Sequence, residues 1–180
     1  PDGGGQGRSA PAARVDRAML PARAAARAAR PIHRGTSVSD DRLAANKAVV
    51  TAFWDALYRR DWDEIASFFT ADSEYTDMPT PPDEVARGPE QIVARLQLGL
   101  AEISEYHHHH RLTVAEGDAV ITEHAEEWHW HTGEQVLLPF VSVQELRGGK
   151  IVRWWDYWDL ATLMNAAPGW WVEHIMQGYT

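Results

Sequence analysis

An aspartate between two tryptophans is the clearest candidate for acid–base chemistry in this chain. Side chains at every second position of a strand share a face, so Trp154, Asp156 and Trp158 lie together. Desolvation of a carboxylate on such an apolar wall raises its pKa toward the range that suits a general base. The alternation equally allows an exposed acid beside partly exposed rings, so the burial of Asp156 stays open on this pattern alone.

A second alternating segment collects further titratable groups. Between positions 119 and 131, one face of the predicted strand contains Val120, Thr122, His124, Glu126, Trp128 and Trp130. The opposite face contains Ile121, Glu123, Ala125, Glu127, His129 and His131. Periodicity does not indicate which of the two faces points toward the core.

Nine histidines include a run of four at positions 107–110. Imidazoles two positions apart on a strand can bind a metal, and His107 with His109 or His129 with His131 form such pairs. Two of the run could instead line the pocket as proton shuttles. Surface or core histidines are the more frequent explanation, so we predict no metal site and no cofactor.

Helices are predicted before these strands. A start near Ser39 or Asp40 precedes apolar residues at helical spacing, which are Val49, Val50, Phe53, Trp54, Leu57 and Tyr58. A short helix over 61–69 and an extended segment over 74–78 follow, and a proline-rich loop ends the latter. Gly88-Pro89 begins another helix, whose apolar residues are Ile92, Val93, Leu96, Leu100 and Ile103.

The second half of the chain is predicted to form strands over 106–115, 119–131, 135–146 and 150–159. Their short glycine-containing turns favour antiparallel pairing. A helix over 160–166 follows. This order predicts an α+β fold in which a cone-shaped, curved antiparallel sheet packs against the N-terminal helices and closes around an internal pocket.

Length and composition limit the possible classes of protein. The 180 residues suffice for one domain with a core. A net charge of −9 argues against nucleic-acid binding, and the lack of a long apolar run argues against a membrane span. The chain contains no cysteine, which excludes disulfides and thiolate chemistry. We expect a cytoplasmic protein whose nine tryptophans line a cavity or an interface.

The predicted organisation has three parts. Residues 1–40 are rich in arginine and alanine and form a disordered or weakly helical tail, which we interpret as a solvated basic arm rather than a targeting segment. Residues 41–167 form the cone-shaped domain. Residues 168–180 form a C-terminal tail that packs on the domain through Trp170, Trp171 and Ile175.

Two segments resemble a known enzyme family. They are Tyr75-Thr-Asp-Met-Pro-Thr-Pro-Pro82, followed by Arg87-Gly88, and Trp154-Trp-Asp-Tyr-Trp-Asp-Leu160 after Gly149-Lys150-Ile151. Both resemble the limonene-1,2-epoxide hydrolases, and the likeness covers roughly residues 45–165. This branch belongs to the nuclear transport factor 2-like superfamily, with ketosteroid isomerases, scytalone dehydratase and polyketide cyclases.

The resemblance implies a role for each matching position. Asp156 corresponds to the base that activates water, and Tyr75 and Asp77 correspond to the residues that hold it. Glu126 corresponds to the acid, and His124 to an arginine that bridges the two acids. Implied pocket-wall residues are Trp54, Leu57, Leu96, Leu100, Trp154 and Leu163. The resemblance therefore selects the face of His124 and Glu126 as the inner one.

Three of these positions differ from the family pattern. Glu126 replaces an aspartate and is longer by one methylene, Asp77 replaces an asparagine, and His124 replaces the arginine. Three carboxyl groups would then share a pocket without a permanent cation, so at least one should retain a proton near neutral pH. A protonated His124 would bridge two carboxylates as the arginine does.

Three functions follow as hypotheses. The resemblance implies a cofactor-free hydrolase that adds water to a small apolar, terpene-like epoxide. The alternatives are a dehydratase, isomerase or cyclase of a polyketide- or steroid-like substrate that uses a His124–Asp156 pair, and a non-catalytic binder of an apolar ligand. The expected partners are a small apolar molecule and, by analogy with the superfamily, a second copy in a homodimer, with no nucleic acid and no membrane.

Overall fold

The computed structural model describes residues 40–80 and 84–178, so the predicted basic tail lies outside the described residues except for Asp40. The helices are α1 (Asp40–Arg59), α2 (Trp62–Ser67), α3 (Gly88–Leu100), α4 (Leu160–Ala166) and α5 (Gly169–Gly178). The strands are β1 (Phe69–Asp77), β2 (Ala86–Arg87), β3 (Ile103–Glu116), β4 (Ala119–Trp130), β5 (Gln135–Arg147) and β6 (Lys150–Trp158).

Helix α1 follows the predicted apolar stripe. Acidic side chains in its first turn and Arg59 in its last turn complement the helix dipole. Val50, Phe53 and Leu57 are buried on one face. The helix ends where Arg60 adopts a positive φ of 55° and its amide donates to the Leu57 carbonyl. The buried face packs α1 against β3 and β4.

The sheet contains six strands in the order β2-β1-β6-β5-β4-β3. The predicted antiparallel meander is present as β3 to β6. The sequence did not predict that β1 pairs with β6 in parallel and with the short β2 in antiparallel fashion. The predicted α+β fold, with a curved sheet and N-terminal helices, is confirmed. The sheet is mixed rather than purely antiparallel, and it is open, because the strand order has two ends.

Two element boundaries also differ from the prediction. Phe69 begins β1 instead of ending α2, and Ile103 begins β3 instead of ending α3. The early part of β1 is polar, and contacts with β6 hold it: Ser73 Oγ donates to the Ile151 carbonyl at 2.6 Å. The Ile151 amide donates to the Phe68 carbonyl at 2.9 Å. Strands β1 and β6 are far apart in the sequence, so the strand propensity of either segment alone does not indicate that they pair.

Helices α1 and α3 cover one face of the sheet, which we call the inner face, and the opposite face is the outer face. On β4 the buried side chains are Val120, Thr122, His124, Glu126, Trp128 and Trp130. The inner face is therefore the one that the family resemblance selected. Within residues 40–80 and 84–178, none of the helices combines the length and hydrophobicity needed to cross a bilayer.

The C-terminal helix α5 contributes one fully buried ring. Trp171 is 2% exposed, and its ring centroid lies 5.9 Å from that of Trp128 and 5.5 Å from that of Trp130. Its Nε1 donates to the Gly99 carbonyl at the end of α3. Helix α5 therefore bridges α3 and the end of β4.

Candidate active site

A cavity of about 370 Å³ lies on the inner face of the sheet. Its walls are largely apolar and include Leu57, Leu96, Leu100, Phe140, Trp154, Leu163, Met164 and Trp171. Polar side chains in the lining include Tyr75, Asp77, Arg95, Glu126 and Asp156. A concave, mostly apolar cavity with a few converging polar groups is typical of a site for a small molecule.

Two of the residues inferred from the family resemblance lie elsewhere. Trp54 and His124 are buried but do not line the cavity. Their rings pack against each other, with centroids 4.6 Å apart. Leu57, nearly one turn further along α1, occupies the wall instead, because Trp54 points toward β4. The other predicted wall residues and the four remaining polar residues all line the cavity.

Asp156 is 4% exposed and receives hydrogen bonds on both oxygens. Its Oδ1 accepts from Ser142 Oγ at 2.5 Å and from Trp154 Nε1 at 2.6 Å. Its Oδ2 accepts from the Tyr75 hydroxyl at 3.3 Å. Burial raises the pKa of Asp156 well above its usual value, and the hydrogen bond from Ser142 opposes this rise. The sequence left the burial of Asp156 open; the structure shows it buried.

Glu126 lies in the same cavity among aromatic donors. Its Oε1 accepts from the Tyr58 hydroxyl at 3.1 Å, and its Oε2 accepts from Trp128 Nε1 at 2.9 Å. Burial raises the pKa of Glu126 to about 7, against the opposing effects of the nearby Tyr106 hydroxyl and of the hydrogen bonds from Trp128 and Tyr58. A carboxyl group with this pKa is partly protonated at neutral pH and can serve as a general acid.

Asp77 is another carboxyl group of the cavity, whose lining also includes Glu84. It pairs with Asp156 across the parallel strands β1 and β6, and its Oδ1 accepts from Trp158 Nε1. Burial raises the pKa of Asp77 to about 6, while the Trp158 hydrogen bond and the Arg95 charge lower it. Arg95 on α3 corrects the expectation of a site without a fixed cation. Its place in the cavity lining depends on how α3 lies over the sheet, which the sequence does not indicate.

His124 contacts Asp156 through a serine instead of directly. Its Nε2 lies 3.0 Å from Ser142 Oγ. Since Ser142 donates its proton to Asp156, its oxygen accepts from His124 Nε2–H. Burial, with smaller effects of His108 and His110, lowers the pKa of His124 to about 3, so the ring is neutral. The expected cationic bridge and the direct His124–Asp156 pair are therefore not found.

Sequence reasoning missed three polar groups that contact the carboxyls. Tyr58 was assigned only to the apolar stripe of α1, and Tyr106 only to a strand. Ser142 lies opposite Asp156 in the register of β5 and β6. Alternation along β5 places Ser142 with the inward Phe140 and Gln144, so its face was predictable. Its contact with Asp156 required the register, which the sequence alone does not provide.

An open, curved α+β sheet with helices on its inner face is the fold of the nuclear transport factor 2-like class of proteins. Within this class, the chain belongs to the SnoaL-like domain family, whose profile matches residues 50–154. The superfamily inferred from the two sequence segments is thereby confirmed.

Solved structures with this fold include proteins of several activities. An LEH-like epoxide hydrolase of M. tuberculosis is 20% identical, with 76% of this chain and 92% of that chain covered at a TM-score of 0.59. A putative SnoaL-like polyketide cyclase from Shewanella putrefaciens CN-32 is 17% identical, with 67% of this chain and 94% of that chain covered at a TM-score of 0.61. A hypothetical protein with a ketosteroid isomerase-like fold from Catenulispora acidiphila DSM 44928 is 24% identical, with 66% of this chain and 90% of that chain covered at a TM-score of 0.59. At these identities the likeness shows the fold alone.

Proposed function

We propose that this protein is a cofactor-free hydrolase that adds water to the epoxide of a small apolar, terpene-like molecule. The principal supporting observation is that Asp156 and Glu126 share one apolar cavity and both have raised pKa values. Epoxide opening needs a base for water and an acid for the leaving oxygen. Two coupled carboxyls provide both, because ionisation of one disfavours ionisation of the other.

The proposed reaction assigns one step to each carboxyl. Asp156 Oδ2, beside the Tyr75 hydroxyl, takes a proton from water as the water oxygen bonds to an epoxide carbon. The carbon–oxygen bond of the ring breaks, and Glu126 gives its proton to the leaving oxygen. The product is a vicinal diol. Afterwards Asp156 releases its proton and Glu126 regains one, so the net reaction consumes one water.

Hydrogen bonds orient both carboxyls for these steps. Ser142 and Trp154 occupy Oδ1 of Asp156, which leaves Oδ2 as the oxygen available to water. The indole N–H of Trp128 donates to Oε2 of Glu126 and cannot accept a hydrogen bond in return. In the neutral acid the proton therefore belongs on Oε1. Preorganisation of this kind lowers the cost of reaching the reactive geometry.

The lining of the cavity supports an apolar substrate. Leucine, methionine and aromatic side chains form most of the wall, and the Trp154 and Tyr75 rings stack with centroids 4.0 Å apart. An apolar wall favours a hydrocarbon skeleton through burial of its surface. The two sequence segments and the epoxide hydrolase among the structural neighbours support the epoxide as the reacting group.

The proposal is tested by incubation with limonene oxide and other small apolar epoxides in water enriched in heavy oxygen. We expect a diol that contains one heavy oxygen atom. Asp156→Asn should abolish turnover and Glu126→Gln should reduce it strongly. Glu123→Gln, on the outer face of the same strand as Glu126, is the matched control and should retain full activity.

Absence of a diol from every epoxide, or an active Asp156→Asn variant, would contradict the hydrolase proposal. Tryptophan fluorescence measured in the same experiment distinguishes the remaining hypotheses. Quenching by apolar molecules without any product would favour a non-catalytic binder.

A second candidate function, an isomerase, dehydratase or cyclase, is favoured by the surroundings of Glu126. Tyr58 donates to this carboxyl, and burial raises the pKa of Tyr106 with the charge of Glu126 adding to the rise. Phenols beside a protonated carboxylic acid can stabilise an enolate oxygen. Asp156 would then remove a proton next to a carbonyl group.

The isomerase alternative is tested with a β,γ-unsaturated ketosteroid, whose conversion to the conjugated enone is followed by absorbance. Tyr58→Phe and Tyr106→Phe should each slow this reaction while leaving the fold intact. No conversion, or conversion that both variants support at the original rate, counts against this candidate.

A further inference from the structure

Histidines and glutamates meet on the outer face of the sheet, away from the cavity. In the register of β3 and β4, Glu105 lies opposite His129, and His107 lies opposite Glu127. The four side chains occupy the corners of one patch near the turn after β4. Sequence spacing suggested metal pairs within each strand, whereas the structure places His107 of one strand with His129 of the next.

Three of these side chains are close enough to share one ion. Each of Glu105, His107 and His129 offers one ligand atom, and the three atoms lie within 4.8 Å of one another. Ligands of a tetrahedral zinc ion lie about 2.0–2.2 Å from the metal, so small rotamer changes would bring these atoms into coordination distance. Glu105 and His107 are exposed on a paired strand, so their side chains can adjust while the backbone stays in place.

Glu127 orients one of the imidazoles. His129 Nε2 donates to Glu127 Oε1 at 2.7 Å, and His109 Nε2 donates to Oε2 at 2.7 Å. When His129 is neutral and donates from Nε2, its lone pair is on Nδ1 and is available to a metal. A carboxylate that accepts the other N–H of a ligating histidine is a common feature of metal sites.

We propose that Glu105, His107 and His129 bind one divalent transition-metal ion of the zinc class. Two imidazoles and a carboxylate favour Zn²⁺, Co²⁺, Ni²⁺ or Cu²⁺ over Mg²⁺ and Ca²⁺, which prefer oxygen ligands. The ion joins the edge strand β3 to β4, so its binding stabilises the sheet. This site does not depend on the reaction in the cavity, because its side chains lie on the outer face of β3 and β4.

The test uses the full chain after treatment with a chelator. Titration with Zn²⁺ at neutral pH, in competition with a chromogenic chelator, should show one tightly bound ion per chain. His107→Ala and His129→Ala should each weaken binding at least tenfold, a loss in the range known for altered metal sites. Zn²⁺ should raise the melting temperature of the original chain, since an ion that binds the folded state stabilises it.

His110→Ala is the matched control, because it removes another exposed histidine of the same run and should leave binding unchanged. Co²⁺ provides an independent readout, since its visible absorption reports coordination by nitrogen and oxygen. Acidification to pH 5 should release the ion, because protons compete for the imidazoles. Binding that is only millimolar, or that persists in the combined His107→Ala and His129→Ala variant, overturns the proposal.

Discussion

At the scale of single residues, protons and charges in the cavity depend on one another. Burial raises the pKa of Asp77 to about 6 and that of Glu126 to about 7, and raises the pKa of Asp156 well above its usual value. Each negative charge that forms makes the next ionisation harder. Over a range of pH the cavity therefore contains a carboxylate and a carboxylic acid together, which acid–base catalysis needs.

The raised pKa of Glu126 also predicts how stability changes with pH. In the unfolded chain this carboxyl titrates near 4.5, and in the folded protein near 7. The folded state holds the proton more tightly, so the resulting stability is complete below pH 4.5 and is lost as pH rises through 7. Between pH 4.5 and pH 7, ionisation of this carboxyl should lower the free energy of unfolding by about 3 kcal/mol.

Glu126→Gln, which cannot ionise, should remove this part of the pH dependence. Urea unfolding between pH 4 and 8 measures the effect. Glu123→Gln removes a half-buried carboxyl from the outer face of the same strand and should keep the original slope. If Glu126→Gln shows the same pH dependence as the unaltered chain, Glu126 does not retain its proton in the fold.

Ser142 is predicted to tune the base. Its hydroxyl donates to Asp156 at 2.5 Å and lowers the pKa of that carboxyl. Ser142→Ala removes a hydrogen bond to a charged group, so the pKa of Asp156 rises and less carboxylate is available. We expect kcat to fall about tenfold at neutral pH, with the acidic limb of the pH profile moved upward.

Ser67→Ala provides the control for Ser142→Ala, because that exposed hydroxyl donates to a backbone carbonyl within α2. It should change neither kcat nor the pH profile. The assignment of Ser142 fails if Ser142→Ala lowers activity without moving the pH profile, since a purely structural defect would have that effect.

At the scale of elements, alternation and helical spacing predicted faces, whereas pairing partners required the fold. The apolar stripes of α1 and α3 follow from local sequence, because each helix buries one side. Alternation separated the two faces of β4, and only the family resemblance selected the inward one. The parallel pairing of β1 with β6 does not follow from local sequence, because those strands are separated by most of the domain. That pairing places Asp77 beside Asp156.

The same distinction explains which site residues were predictable. Asp156 was a candidate from strand alternation and the motif around it, whereas Glu126 was assigned only through the family resemblance. The separation of His124 from Asp156 by Ser142 depends on the β5–β6 register, and the counter-charge of Arg95 depends on how α3 lies over the sheet. Such contacts combine several distant segments, so no single stretch of sequence contains the signal.

At the scale of the whole molecule, the outer face of the sheet contains exposed apolar side chains. Leu137 is 57% exposed and Tyr157 is 46% exposed, and Val141 lies directly opposite Tyr157 in the β5–β6 register. Leu112, Val114 and Ile121 extend the apolar surface across β3 and β4. Exposed apolar surface of this kind commonly marks a protein interface.

We predict that a second copy of the chain covers this apolar surface, as the family resemblance implies. Light scattering coupled to size-exclusion chromatography should give the mass of a dimer. Leu137→Asp combined with Val141→Asp should yield a monomer, because burial of two carboxylates in the interface is costly. Thr51→Asp, which adds a charge to the exposed side of α1, should remain dimeric. A dimer that tolerates the paired substitutions would place the interface elsewhere, and a monomeric unaltered chain would contradict the prediction outright.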